Sequence, residues 1–125
     1  MRLKSDLFEL LMHATEGTLD QAELQWDRRL ALGVVIAAHG YPGKVRGGDV
    51  ITGLPADAKD LKVFHAGTRL HDGVLTSSGG RVLCVTALGD SARLAQQRAY
   101  EAVDQIQLAG AVLRRDIGHR AVKPR

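Results

Sequence analysis

The chain has 125 residues, of which 45% are apolar and 25% charged, and a formal net charge of +3. That is the size and balance of one globular domain with a single core, which excludes a chain disordered throughout. A lone cysteine, Cys84, rules out an intramolecular disulfide and a cysteine-built zinc cage.

The first element expected is a helix from Ser5 to Glu16, capped by Ser5 and ended by Gly17. Leu7, Leu10, Leu11 and Ala14 recur at helical spacing and give it one apolar face. From Leu24 the period changes. Leu24-Gln-Trp26 reads as a short strand, and the unbroken apolar run Ala31 to Ala38 as a strand buried on both faces. His39-Gly-Tyr-Pro-Gly43 breaks the chain sharply. Further strands are expected at Val50-Ile51, Lys62 to His65, Gly73 to Thr76 and Arg81 to Leu88. Ten of the fourteen glycines lie between Gly40 and Gly89, the texture of a compact antiparallel sheet with many tight turns. Asp90 or Ser91 caps a second helix reaching about Leu108, with Ala95, Ala99, Ala102, Val103 and Ile106 as its buried stripe and Gly110 as its stop. Ala111-Val-Leu113 is expected to return as a last strand.

Chemistry is sparse. The five histidines show no metal-ligand spacing, and there is no G-x-S-x-G elbow, P-loop or dinucleotide fingerprint. Cys84 reads as a buried small hydrophobe. Thr76-Ser-Ser-Gly-Gly-Arg81 reads as a glycine hairpin in which Arg81 stands beside exposed backbone N–H groups suited to an anion. His65 is either a structural histidine at a strand end or a substrate contact. Asp116 either meets an amine or hydroxyl of a ligand or pairs with Arg114 or Arg120. The basic end, with Arg114, Arg115, Arg120, Lys123 and Arg125 opposed only by Asp116, fits a solvated terminus, an anion-binding edge or a nucleic-acid tail. No stretch reaches the ~18 apolar residues of a membrane span, and nothing resembles a signal peptide, so the cytoplasm is the expected compartment.

The ordered series is more specific than its pieces: Arg2-Leu-Lys-Ser-Asp-Leu7, Gly33-Val-Val-Ile-Ala37, Gly40-Tyr-Pro-Gly43, Val63-Phe-His-Ala-Gly-Thr68, Gly79-Gly-Arg-Val-Leu83, Val85-Thr-Ala87, Ala99-Tyr100, Asp116-Ile-Gly118 and Arg120-Ala121. In this order, over nearly the whole chain, it resembles the C-terminal portion of the glycinamide ribonucleotide synthetase (phosphoribosylamine–glycine ligase) family, in the ATP-grasp superfamily. The resemblance implies an α+β fold: a compact antiparallel β barrel-sandwich-like domain with one packed helix, preceded by a helix from the end of an ATP-grasp module. Residues 1–22 would be that end, and 23–125 the C-terminal domain.

What the family does is join glycine to 5-phosphoribosylamine with ATP in purine biosynthesis. The resemblance implies that the ATP- and magnesium-binding parts belong to the remainder of the ligase, so that no cofactor, metal or catalytic residue is expected in this chain and it is inactive alone. The residues implied to border substrate are Tyr41, Pro42, His65, Gly67, Thr68, Gly80, Arg81, Asp116 and Arg120. The expected partners are that remainder and, in the complete enzyme, the small-molecule substrates glycine and 5-phosphoribosylamine, with no nucleic acid and no membrane. The alternative is a stand-alone binding or interaction module that kept the fold without the reaction. A nucleic-acid binder is disfavoured by the 4% aromatic content, which offers few stacking platforms. A biotin or lipoate carrier is disfavoured because Gly73 to Arg81 has no lysine.

Overall fold

A computed structural model describes residues 1–123; of the basic end read from the sequence, Arg125 lies outside the described residues. In chain order the elements are helix α1 (Leu7–Glu16), a 3-10 turn (Leu19–Gln21), β1 (Leu30–Ala37), β2 (Ile51–Thr52), β3 (Leu61–His65), β4 (Thr68–His71), β5 (Val74–Ser77), β6 (Arg81–Gly89), α2 (Ala92–Val103), β7 (Gln107–Leu108) and the short α3 (His119–Val122). The result is a small α+β domain whose strands pair antiparallel in three separate sheets, β1-β6-β3, β2-β7 and β4-β5.

The core forms where β-branched and small residues meet. Val34, Val85 and Val63 lie side by side across the three-stranded sheet, with Ile36 and Leu83 next to them, and all are buried. Helix α2 lays Ala95, Ala99, Ala102 and Val103 against this face. Alanine at those positions lets the helix come close: a Cβ on Gly89 would stand 2.4 Å from the Ala95 backbone nitrogen. Ser91 caps α2 by accepting from the Leu94 N–H. Ile51 and Leu108 pair and close one end of the core.

The other face of the sheet is uncovered in its middle. There Val35, Cys84 and Phe64 form the adjacent row, and Val35 and Phe64 are exposed. So β1 is buried on one face only, not two. Cys84 is half-buried on the open face, with its sulfur 3.6 Å from the Thr86 hydroxyl, rather than sealed in the core. Strand alternation places it there, because residue 84 points opposite to Leu83 and Val85.

Several ends differ from the sequence reading. Asp6, not Ser5, caps α1, accepting from the N–H groups of Phe8 and Glu9. Ser5 instead donates to the Glu23 carbonyl and accepts from the Gln25 N–H. Leu24 to Trp26 makes only a bridge, Leu3 to Trp26. Helix α2 stops at Val103 rather than Leu108, because Gln107-Leu108 is taken by β2 and Ala111 to Leu113 makes a single bridge from Val112 to Ala37. The strand β4 is additional. It pairs with β5 through a two-residue turn in which Asp72 and Gly73 both have positive φ, the geometry of a type I′ hairpin.

Candidate functional site

The loops that follow β1, join β3 to β4 and join β5 to β6 converge at the start of β6. Strand β5 pairs with β4 while β6 pairs with β1 and β3, so Ser78-Gly79-Gly80 is a passage between sheets and not a hairpin turn. At that passage main chains cross in contact. The Ser78 N–H donates to the Gly67 carbonyl (2.8 Å), the Gly67 N–H to the Arg81 carbonyl (2.9 Å), and the Ala38 N–H to the Gly80 carbonyl (2.8 Å). A Cβ on Gly67 would meet the Gly79 Cα at 2.9 Å, and one on Gly80 would meet the Tyr41 ring at 3.0 Å. Glycine is therefore required sterically at Gly67, where main chain stands in the way, while at Gly80 a side chain would have to displace the Tyr41 ring. The Tyr41 ring lies against Gly80 at this crossing, and Tyr41 is joined to Pro42 by a cis peptide bond.

From the crossing a cleft of about 320 Å³ runs along the open side of β1. One wall is Gly33, Val35 and Ala37 with Tyr41 and Arg81; the other is the segment Val112 to Arg114 with Ile117. Tyr100 holds this second wall: its hydroxyl donates to the Arg114 carbonyl (2.8 Å) and accepts from the Ile117 N–H (3.0 Å). Gln96 adds a hydrogen bond to the Ile117 carbonyl (2.7 Å). The cleft is apolar in lining with guanidinium groups at its border, a form suited to a ligand with an apolar body and an anionic end.

The remaining expected site residues fall around it. His65 and Thr68 hydrogen bond to each other (Nδ1 to Oγ1, 3.1 Å) at the junction of β3 and β4, outside the cleft lining. Asp116 pairs with Arg114 through both oxygens, at 2.9 and 2.6 Å. That hydrogen-bonded guanidinium holds the Asp116 carboxyl below the usual carboxylate range and raises Arg114. Of the two arginines open to Asp116, Arg114 is the one it pairs with. Asp116 and Arg120 border a separate shallow depression that shares Arg114 and Ile117 with the cleft. The structure brings Tyr41 and Arg81 into one cleft beside Pro42, Gly67 and Gly80, while His65 with Thr68 and Asp116 with Arg120 stand to either side.

Sequence reasoning missed the residues that shape the second wall. Val112 and Leu113 carry no motif, and Tyr100 and Ile117 enter only through the family series; the position of Tyr100 on α2, facing a polar, glycine-bearing tail, is the available signal. Arg81 has no ion-pair partner among the described residues, unlike Arg114. Among the described residues no three His, Cys, Asp or Glu side chains converge. Asp27, Asp57, Asp60, Asp104 and Asp116 each face an arginine or lysine.

Comparison with known proteins places this geometry. The profile of the family described as phosphoribosylglycinamide synthetase, C domain, matches residues 31–120. A phosphoribosylamine–glycine ligase of Ralstonia nicotianae is 59% identical over 122 residues, covering 98% of this chain and 29% of that protein. The corresponding ligase of Haemophilus influenzae is 55% identical over 124 residues with the same coverage on both sides. A crystal structure of phosphoribosylamine–glycine ligase from Thermotoga maritima superposes with a TM-score of 0.70 at 33% identity, covering 87% of this chain and 27% of that one. This chain thus spans less than a third of the length of these relatives. With its sheets, helix and glycine crossing all inside or beside the matched span, the chain belongs to the phosphoribosylglycinamide synthetase C-domain family.

Proposed function

We propose that this chain serves as the C-terminal domain of a phosphoribosylamine–glycine ligase, the enzyme that joins glycine to 5-phosphoribosylamine at the expense of ATP in purine biosynthesis. The observation that supports this is the 59% identity to such a ligase over 98% of the chain. Residues 1–22 form the end of the ATP-grasp module, and 23–125 a barrel-sandwich-like C-terminal domain. The α1 helix supports that division, since none of its residues is buried. ATP and magnesium are held by the remainder of the ligase. The reaction belongs to the cytoplasm; no helix among the described residues is long and apolar enough to cross a membrane.

This domain's residues position rather than react. Tyr41, Pro42, Gly67, Gly80 and Arg81 shape one side of the substrate pocket, with His65 and Thr68 beside them. Asp116 and Arg120 form the other side and orient the amine and the phosphate. Phosphoryl transfer needs metal and positioned cations to stabilise spreading negative charge, and the remainder supplies those.

The test is complementation. The chain alone should release no phosphate from ATP with glycine and phosphoribosylamine, and its melting temperature should not move with ATP–magnesium. Co-expressed with the remainder of the Ralstonia nicotianae ligase, it should restore ligation. A chain that binds ligand alone and fails to complement would support the stand-alone module instead.

A further inference from the structure

The open border of β1 is an unfinished ladder. The Leu88 N–H donates to the Asp60 carbonyl and the Ala66 N–H to the Val82 carbonyl, so even-numbered residues of β6 turn their peptide groups towards β3 and odd-numbered ones towards β1. Their partners on β1 are Leu32, Val34 and Ile36. Ala31, Gly33, Val35 and Ala37 therefore direct their peptide groups away from the sheet. Ala37 uses them: its N–H donates to the Val112 carbonyl (2.8 Å) and its carbonyl accepts from the Val112 N–H (2.9 Å). After that one pair the chain leaves the ladder and turns under α2 at Arg114 and Ile117. The N–H and C=O groups of Ala31, Gly33 and Val35 have no hydrogen-bond partner among the described residues.

We infer that this edge of β1 takes an extended peptide segment with a carboxylate near its N-terminal end, as an added antiparallel strand in line with Val112. Three features select that occupant. The unpaired groups from Ala31 to Val35 extend over roughly 13 Å at about 3.3 Å per residue, and they alternate donor and acceptor as only another backbone matches. The cleft of about 320 Å³ lies directly beside them and is lined by Val35, Leu113 and Ile117, which suits alternate apolar side chains. Arg81, free of an ion-pair partner among the described residues, stands at the Ala37 end, where the added strand begins. The sequence Leu30 to Ala37 carries no charge or proline to blunt the edge, the usual protection of an exposed strand.

The probe is the blocked pentapeptide acetyl-Glu-Val-Thr-Val-Thr-amide, added to the full chain and followed by amide hydrogen exchange. At saturation the Gly33 and Val35 amides should exchange about tenfold more slowly or better, since both become ladder donors. The same peptide N-methylated at its third and fifth residues should give no protection, a control that leaves the protein unaltered. Arg81→Gln should weaken binding about fivefold, the scale of one exposed ion pair. Three outcomes would overturn the inference: equal protection by the N-methylated peptide; slow exchange of Gly33 and Val35 in the free chain with a dimer in sedimentation, which assigns the edge to a second copy; or binding of glutamate alone as tightly as the peptide, which leaves only an anion site.

Discussion

Residues 1–29 and residues 30–108 obey different rules. In the second region every strand or helix that packs does so through named buried side chains, and Val34, Val82, Val85, Ala87, Ala95 and Ala99 have no exposed surface at all. In the first region α1 buries nothing: Leu7, Phe8 and Leu11 are 58%, 71% and 56% exposed. Yet α1 has the better local code, with an aspartate cap, a left-handed glycine stop and a regular apolar stripe. Local signals are thus enough to make a helix, and only the small-residue match between α2 and the sheet makes a core.

That contrast can be broken most sharply at Leu83 and Leu11. Leu83→Ala should lower the unfolding free energy by about 2–5 kcal/mol in a denaturant melt, while Leu11→Ala should stay within about 0.5 kcal/mol. Equal effects would mean that α1 is part of the same cooperative unit. Next in size is Gly89→Ala, where the new Cβ has only 2.4 Å to the Ala95 nitrogen; a loss of about 1–3 kcal/mol is expected as α2 is pushed off the sheet. Smaller again are the two caps. Ser91→Ala should cost about 1 kcal/mol in the global transition, whereas Asp6→Ala should reduce far-ultraviolet helicity without shifting the midpoint.

The smallest effect is one of pH. The Arg29 side chain, hydrogen bonded to Asp27, holds the Asp27 carboxyl well below its usual value. A carboxyl depressed by folding contributes stability that is complete above its ordinary value of 3.8 and is lost as pH falls through the folded one. Asp27→Asn should therefore lower stability near neutrality and flatten the acid limb of a stability–pH curve, so that variant and parent converge at the acid end. An unchanged acid limb would mean that the pair is equally formed in the unfolded chain.

Where packing and propensity agree, the fold was legible. The β-branched run Val34 to Ile36, the Arg81 to Leu88 strand and the alanine stripe of α2 all stand where hydrophobic pattern puts them. Three readings failed because the signal that decides them is tertiary and not local pattern. Gln107-Leu108 looks like the end of α2 until β2 claims it. Thr68 to His71 has no apolar alternation and becomes a strand only through β5. The run Ala31 to Ala38 looks buried on both faces because nothing in composition says that the face of Val35 stays open. For the candidate site, the glycine loops were readable as loops and their convergence was not. Only Tyr41 and Arg81 of the expected residues reached the cleft lining, whose second wall depends on one tyrosine hydroxyl.

The glycine crossing has a consequence for how such a site changes over time. Gly67, Gly79, Gly80 and the Ala38 amide locate three loops through main-chain contacts, without any side chain acting as a spacer. Address and message are thereby written in different parts of the peptide. Replacing Tyr41, His65 or Arg81 alters what the loops present while leaving where they stand untouched, so selectivity can drift in small steps without a compensating repack. The converse holds for the glycines themselves: one methyl group at Gly67 displaces the whole border at once.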